Sequence, residues 1–470
     1  YLHPENFLSF KNNAQGEATI VVNYMYARYG LTQQGTREAR VRQAAEYAAE
    51  WVRYFNVERQ AGIRYWEIGN ECYGPWETGY DVNGSIITGK EYGEDFRIFA
   101  EAMKAVDDRI RCGAVLWHKG YAWNNQVLKE VKDHADFLIV HHYFEPSNAM
   151  DAAEALQEVR NDMQHIQALA ARYTGRPAGH FPVAFTEFNI QGSPAATMFN
   201  GLFVAEALGA MIESGFFMTN IWVNEWNIDA EQHTKGLLAQ NDPDQANYTP
   251  RPSYTPFYYY DKYFGDRMVV CQVTGNNNAR AYASTFSSGE TGVVLVNYSA
   301  QPLRVAFQLP AASAQPDSIF WHSIHADNMN AGNKKFYVNG QTGPMPGGGP
   351  VLSNVPAFAA AMSAGQTLQL PPYSATYAVL NTRLATSTGD IDVPVPMHVF
   401  PNPTDGFVYW HAENEAEVRC DLIDVSGRSM GLPSQADRVG EGLFRWDCSS
   451  LPTGVYFLRA GQRIFKLVRM

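Results

Sequence analysis

Six short apolar or β-branched runs, each followed by a longer stretch of different period, occupy the first half of this 470-residue chain. They are residues 18–24 (ATIVVNY), 64–69 (RYWEIG), 112–117 (CGAVLW), 136–143 (DFLIVHHY), 182–188 (PVAFTEF) and 216–223 (FFMTNIWV). Between the first two, Val41, Ala44, Ala45, Ala48, Trp51, Val52 and Phe55 recur at the spacing of one helical face. Phe96, Phe99, Ala100, Met103 and Val106 repeat the device after the second. Strand and helix in strict alternation is the pattern of a parallel sheet built from βα units, because parallel neighbours need a crossover and the helix supplies it.

The predicted architecture is an α/β (β/α)8 TIM-type barrel over residues 1–265. Such a barrel needs eight strands, and six runs are present. The segment Pro4 to Phe10 reads as a helix leading into the first run, so the two absent strands belong to the front. The expectation is a barrel truncated at its N terminus, since closing it with six strands would rebuild its shear. Tyr254–Gly265 reads as the last barrel helix. Beyond it, ARAYAST, TGVVLVNYS, LRVAFQL and ATYAVLN alternate at period two between turn residues, which predicts an antiparallel β-sandwich over 266–381. Residues 342–350 read as a Pro/Gly-rich loop, 382–391 as a polar linker, and 392–470 as a small Ig-like β-sandwich.

The balance of 36 Lys plus Arg against 48 Asp plus Glu gives a net charge of −12, which argues against nucleic acid as a partner. No apolar run approaches the ~18 residues of a membrane span. The chain also opens without a basic, apolar leader, so Tyr1 is not read as a natural start. The five cysteines lack C-x-x-C spacing, leaving neither a zinc nor a dithiol motif; Cys420 and Cys448 share the terminal module and could pair. The histidines and acids lack ligand spacing of the H-E-x-x-H kind, and no metal or cofactor is expected.

Barrel strands present their C-terminal ends to the active site. Trp66-Glu67-Ile68-Gly69-Asn70-Glu71 therefore delivers Glu71 to the cleft, and Thr186-Glu187-Phe188 delivers a second carboxylate to the same rim. Paired carboxyls suit glycoside hydrolysis: one protonates the departing oxygen and the other attacks the anomeric carbon when they lie ~5–5.5 Å apart. A general acid working near neutrality needs its pKa raised by burial or by a neighbouring carboxylate. The rival nucleophile is Glu225, in a second Asn-Glu after the sixth run. Glu67 lies on the same side of its strand as Glu71 and is read as structural. Trp66, Trp76 and Trp117 are candidates for an apolar wall or a sugar platform. His141, His142 and Tyr143 end the strand before that of Glu187 and could hydrogen-bond Glu187 or a substrate hydroxyl; His141 and His142 cannot both face inward, and His142 and Tyr143 are taken as the candidate substrate contacts by their strand-end position. Asn23 and Trp222, near the ends of the first and sixth runs, complete the binding set.

Asn70-Glu71 after one strand and Glu187 three strands later resembles clan A of the glycoside hydrolases, over roughly residues 1–265. In that clan the Asn-Glu pair closes the fourth barrel strand and the nucleophile the seventh, which again leaves two strands missing. The exit Pro256-Phe257-Tyr258-Tyr259-Tyr260…Lys262-Tyr263-Phe264-Gly265-Asp266-Arg267, with a sandwich behind it, is similar to the arabinofuranosidase and xylosidase families 51 and 39. The resemblance implies that Asn70 binds the sugar 2-hydroxyl, that Glu71 is acid then base, and that Glu187 forms a glycosyl-enzyme intermediate. The clan's early-strand arginine has no counterpart here. Val399-Phe400-Pro401-Asn402-Pro403-Thr404-Asp405-Gly406, Leu422-Ile423-Asp424-Val425-Ser426-Gly427-Arg428 and Leu451-Pro452-Thr453-Gly454-Val455-Tyr456-Phe457-Leu458 occur in order. These resemble the C-terminal sorting domain of the type IX secretion system, implying that export machinery as a partner and a secreted or cell-surface location in a Bacteroidota-type bacterium.

The expected function is a secreted retaining glycoside hydrolase acting on plant or algal oligo- or polysaccharide. One alternative is an α-L-arabinofuranosidase trimming side chains rather than an endo-β-glycanase. Loop 72–90 is long for a βα connection and tips the reading toward a polysaccharide-directed cleft. The other alternative is a non-catalytic surface glycan-binding protein on a decayed barrel.

Overall fold

The computed structural model describes residues 3–14, 16–30, 35–231, 233–309, 316–329, 332–362, 367–382, 407–411, 420–424, 437–440, 443–452, 454–460 and 463–469. The chain divides into two compact units, one made of residues 1–144, 153–189 and 210–222, the other of 145–152, 190–209 and 223–470.

The first unit is built on six strands: β1 Thr19–Val22, β2 Tyr65–Ile68, β3 Arg111–Val115, β4 Phe137–Phe144, β5 Val183–Ile190 and β6 Met218–Ile221. They neighbour one another in chain order, and the registered pairs run parallel. All six coincide with the runs read from sequence. In β4 every residue but Tyr143 is buried, as a strand covered on both faces must be. The hydroxyl of Thr19 on β1 lies 3.1 Å from the sulfur of Met218 on β6, so side chains of the two outermost strands meet and the sheet is curled.

Its longer helices are α1 Pro4–Ala14, α2 Arg37–Val52, α3 Gly89–Val106, α4 Tyr121–Val131 and α5 Ala149–Thr174. Helix α2 starts where the Thr36 hydroxyl accepts the Ala39 amide, and α3 where Thr88 accepts that of Glu91; each satisfies an otherwise orphaned N–H. Val41, Ala44, Ala45, Ala48 and Val52 of α2 are buried as their spacing predicts. Trp51 departs from that face: its ring is 43% exposed, partly covered by stacking on Phe55 at 5.7 Å.

In the second unit Arg267–Val269, Ala279–Thr285, Thr291–Asn297, Ser374–Thr382, Pro316–His325 and Tyr337–Val338 form one antiparallel sheet, and Phe358–Ala361 also pairs with Pro316–His325. A ribbon of Leu303–Ala306 and Thr367–Leu370 packs on it, with Val293, Leu295, Ile319, Ala378, Leu380, Leu368 and Leu370 between them. The expectation for this stretch is an antiparallel β-sandwich over 266–381. Its unit, however, begins before 266. The helices α6 Met198–Ser214 and α7 Thr255–Tyr263 follow in chain order, and α7 lays Tyr259 and Tyr263 against His322 and Tyr377 of the large sheet. Residues 223–265, read from sequence as the end of the barrel, are thereby grouped with the sandwich.

Two three-stranded sheets make up the terminal module: Phe407–His411, Leu443–Asp447 and Asp437–Gly440; and Cys420–Asp424, Gly454–Ala460 and Arg463–Arg469. The linker beyond Thr382, the Val399–Gly406 motif and the side chain of Cys420 lie outside the described residues. Among the described residues no helix is long and apolar enough to cross a membrane.

Candidate active site

Strand β2 ends at Ile68, and Gly69 turns the chain with φ +84°. A side chain there would put its Cβ 2.6 Å from the Cys72 sulfur, so only glycine fits. Glu71, two residues on, holds φ +37°, a region non-glycine residues seldom occupy and one that clusters at functional sites. On β5 the register against β6 slips between Phe185 and Phe188. Such a bulge re-aims successive side chains. Thr186 and Glu187, which regular pleating would send to opposite faces, both reach the same site.

His141 lies at the centre. Its Nδ1 is 3.0 Å from Glu71 Oε1 and 3.7 Å from Glu187 Oε2, and its Nε2 is 3.1 Å from Thr186 Oγ1. The Tyr143 hydroxyl donates to Glu187 Oε2 at 2.7 Å. The Trp76 indole N–H donates to Glu71 Oε2, and the Tyr73 hydroxyl to Oε1 at 3.4 Å. One ligand atom each from Glu71, His141 and Glu187 lie within 4.8 Å of one another. Both carboxylates are 15% exposed and the imidazole 4%.

Burial opposes the charge on Glu71, but hydrogen bonds from His141, Trp76 and Tyr73 outweigh it and hold the carboxyl below its ordinary value. The raised pKa expected of a general acid is therefore not a property of Glu71 in this arrangement. His141 shifts the other way: burial favours its neutral ring, but the hydrogen bond to Glu71 and the charges of Glu187, Glu67 and Glu71 outweigh it and raise its pKa. Burial, with the nearby carboxylates, keeps the phenols of Tyr73 and Tyr143 protonated.

The spacing of Glu71, His141 and Glu187 is the one group among the described residues that would also admit a cation. The donor chemistry argues for another reading. A metal would need the lone pair on Nδ1, whereas Nδ1 faces the Glu71 carboxylate at hydrogen-bond length, and Nε2 is engaged by Thr186. We read the group as a hydrogen-bonded acid pair sharing one imidazole.

The structure brings together Glu71, Glu187, Trp76 and Tyr143. His142 is turned away from them: alternation along β4 points it to the helix layer, where Nδ1 meets Asp162 at 2.7 Å and the ring stacks on His118 at 3.9 Å. The inward histidine is His141. Trp66, considered for the wall, is fully buried with its N–H on the Ile63 carbonyl. Trp117 backs the site at one remove, stacked on Tyr73 with ring centroids 5.4 Å apart. Asn70 donates to Glu77 at 2.9 Å. Asn23 is exposed at the end of β1, its carboxamide accepting the Tyr26 amide and donating to the Tyr29 hydroxyl. Trp222, just past β6, accepts from the Asn189 side chain through its carbonyl. Glu225 starts a three-residue strand paired with Leu238–Gln240, is exposed, and belongs to the other compact unit. Tyr73 and Thr186 escaped the sequence reading; adjacency to Glu187 was the only available signal for Thr186.

Residues 398–469 match the secretion system C-terminal sorting domain. An intracellular exo-α-(1→5)-L-arabinofuranosidase of Streptomyces lividans is 31% identical over 121 residues, 23% of this chain and 17% of that protein. The curated relatives are matched over only 17–19% of their own length. Among solved structures, the α-L-arabinofuranosidase of Thermotoga maritima in complex with arabinose is similar at TM-score 0.56 and 17% identity, covering 80% of this chain and 78% of that one. A family 44 xyloglucanase of Paenibacillus polymyxa is similar at TM-score 0.52 and 16% identity, covering 71% and 70%. Residues 398–469 thus match the secretion system C-terminal sorting domain, and the chain is similar in fold to glycoside hydrolases of families 51 and 44.

Proposed function

We propose that the protein is a retaining glycosidase that releases α-L-arabinofuranosyl groups from plant polysaccharide by double displacement. The observation carrying this reading is the approach of Glu71 and Glu187, with oxygens within 4.8 Å, around one imidazole. That separation suits direct attack by a carboxylate and leaves no room for the water an inverting enzyme interposes, which needs ~6.5–9.5 Å. Glu187 attacks the anomeric carbon, steadied by the Tyr143 hydroxyl. Glu71 protonates the leaving oxygen, then takes a proton from the water that cleaves the glycosyl-enzyme. Exposed Trp76 beside Glu71 offers a flat face to a sugar ring. The arabinofuranosidase relatives support the choice of sugar.

A second reading, cleavage within a β-linked backbone, draws on the family 44 neighbours and on loop 72–90, whose Asp81–Val82 and Ser85–Ile86 ribbon extends beside Trp76 in sequence. The sorting domain supports export by type IX secretion to the cell surface or medium.

The test is hydrolysis of an aryl α-L-arabinofuranoside, arabinan, xyloglucan and cellulose by the parent chain and by Glu71→Ala and Glu187→Ala. Arabinose released first with retained configuration, and lost in both variants, is the expected result. Backbone oligosaccharides instead of arabinose favour the second reading. Equal turnover by parent and variants overturns the assignment of the pair.

A further inference from the structure

Behind the carboxylate pair sits a third acid that the double displacement does not use. Glu67, on β2 and 2% exposed, receives the Thr186 hydroxyl at 3.3 Å. Thr186 Oγ1 is in turn 3.1 Å from His141 Nε2, and His141 Nδ1 is 3.0 Å from Glu71. Resting on the acid/base role proposed for Glu71, we infer that Glu67 is a positioning residue, which acts through the Thr186 hydroxyl to set the charge of His141 and so the proton offered to Glu71.

The argument is a count of hydrogens. A threonine hydroxyl carries a single proton. If it donates to an ionised Glu67, it must accept from His141 Nε2–H; with Nδ1–H on Glu71, the ring is then an imidazolium. If Glu67 is protonated, its O–H donates to Thr186, the hydroxyl turns to donate to Nε2, and the ring is neutral. The bridge thus ties a charged Glu67 to a charged His141 and a neutral Glu67 to a neutral His141. Other charges reaching His141 come from Glu71 and Glu187; Glu67 also feels Glu187. The neighbouring phenols are neutral: Tyr92 donates to the Ile68 carbonyl and Tyr143 to Glu187. Both states hold the same number of protons, so the balance between them is set by the surroundings of the two groups, and burial, which pushes the Glu67 carboxyl up to about 7, is what keeps the two states close.

This reconciles the low pKa of Glu71 with its work as an acid. The Nδ1 proton moves along the 3.0 Å hydrogen bond to the Glu71 carboxylate, leaving neutral His141 with its Nε2–H still on Thr186. Glu71 then passes that proton to the leaving oxygen. In the second displacement, the proton taken from water returns to Glu71 and thence to Nδ1, restoring the starting state.

The experiment follows the ring nitrogens of His141 by NMR in 15N-histidine-labelled full chain across pH, assigned by loss of the signal in His141→Gln. In Glu67→Gln the imidazolium titrates about one unit lower than in the parent, because an anion two bridges away is gone. Thr186→Val, which keeps the volume and cuts the bridge, gives the same downward shift, and Thr186→Ser keeps the parent midpoint. Thr186→Val answers the question should Glu67→Gln not fold. The basic limb of kcat/KM moves down with the NMR midpoint in both variants. An unchanged His141 midpoint in Glu67→Gln or Thr186→Val overturns the inference even if turnover falls. Absence of any glycan hydrolysis by the parent would instead defeat the glycosidase reading, leaving the NMR comparison to decide this one.

Discussion

Gly69→Ala tests whether the turn that presents Glu71 depends on a missing side chain. Two costs are separable in the structure. Holding alanine at φ +84° costs about 1–2 kcal/mol, the ordinary penalty of the left-handed region. Its Cβ would also stand 2.6 Å from the Cys72 sulfur and 3.3 Å from Tyr24 Cβ, both fully buried. Overpacking of that kind adds about 1–3 kcal/mol. Gly62→Ala is the internal control: φ is +64° there, and nothing lies within 4 Å of the added methyl. Urea unfolding followed by tryptophan fluorescence should put Gly62→Ala about 1 kcal/mol below the parent and Gly69→Ala about 2–5 kcal/mol below it. Because the methyl is accommodated by shifting residues 69–72, Gly69→Ala should also lose turnover while Gly62→Ala keeps it. Equal destabilisation of the two variants, to within about 0.5 kcal/mol, would refute the packing argument.

Tyr143→Phe removes the 2.7 Å hydrogen bond to Glu187 and, at about 1.5–3 kcal/mol for a bond to a charged group, should lower kcat/KM about 10- to 100-fold with the fold intact by circular dichroism. Glu67→Gln carries a pH signature in stability. A carboxyl raised from 4.5 to about 7 keeps its proton in the native state after the unfolded chain has lost it. The stabilisation it gives is therefore complete below pH 4.5 and is lost as pH rises through about 7. The variant should gain on the parent by about 3 kcal/mol between those limits, read from urea midpoints at pH 4.5 and 8; a constant difference would contradict it. Burial raises the thiol pKa of Cys72, and pushes that of Cys112 up to about 12, so neither should react with iodoacetamide at pH 8 until the chain is unfolded, as peptide mass spectrometry can check. His142→Asn should cost stability through Asp162 and leave the pH dependence of turnover unmoved, unlike changes at His141.

The strands of the first unit were legible because each run is dominated by apolar or β-branched residues between longer stretches of helical period; the inner strands are largely buried, whereas β1 and β6 are partly exposed. The Asn-Glu context at a strand end singled out Glu71 and the place three strands later singled out Glu187, and the structure sets both carboxylates against His141. Period-two alternation could say that only one of His141 and His142 faces inward. It could not say which, because the choice depends on where the pleat of β4 starts relative to its neighbours, a relation between strands rather than within one. Thr186 was invisible for a related reason. Regular alternation puts it on the opposite face from Glu187, and the bulge that brings both to one site exists only in the pairing of β5 with β6.

The boundary after the barrel shows the same division. An aromatic-rich helix over Thr255–Tyr263 was readable from its residues, but those rings have no inherent destination, and their packing on His322 and Tyr377 arises from strands more than 50 residues further on. Local pattern and strand-end chemistry thus determined which elements form and which carboxylates could meet. Tertiary structure alone decided which histidine stands between them, that Thr186 bridges it to Glu67, and that hydrogen bonds hold the Glu71 pKa low. Each of those turns on desolvation and on hydrogen bonds between segments 45 to 119 residues apart, which no local window contains.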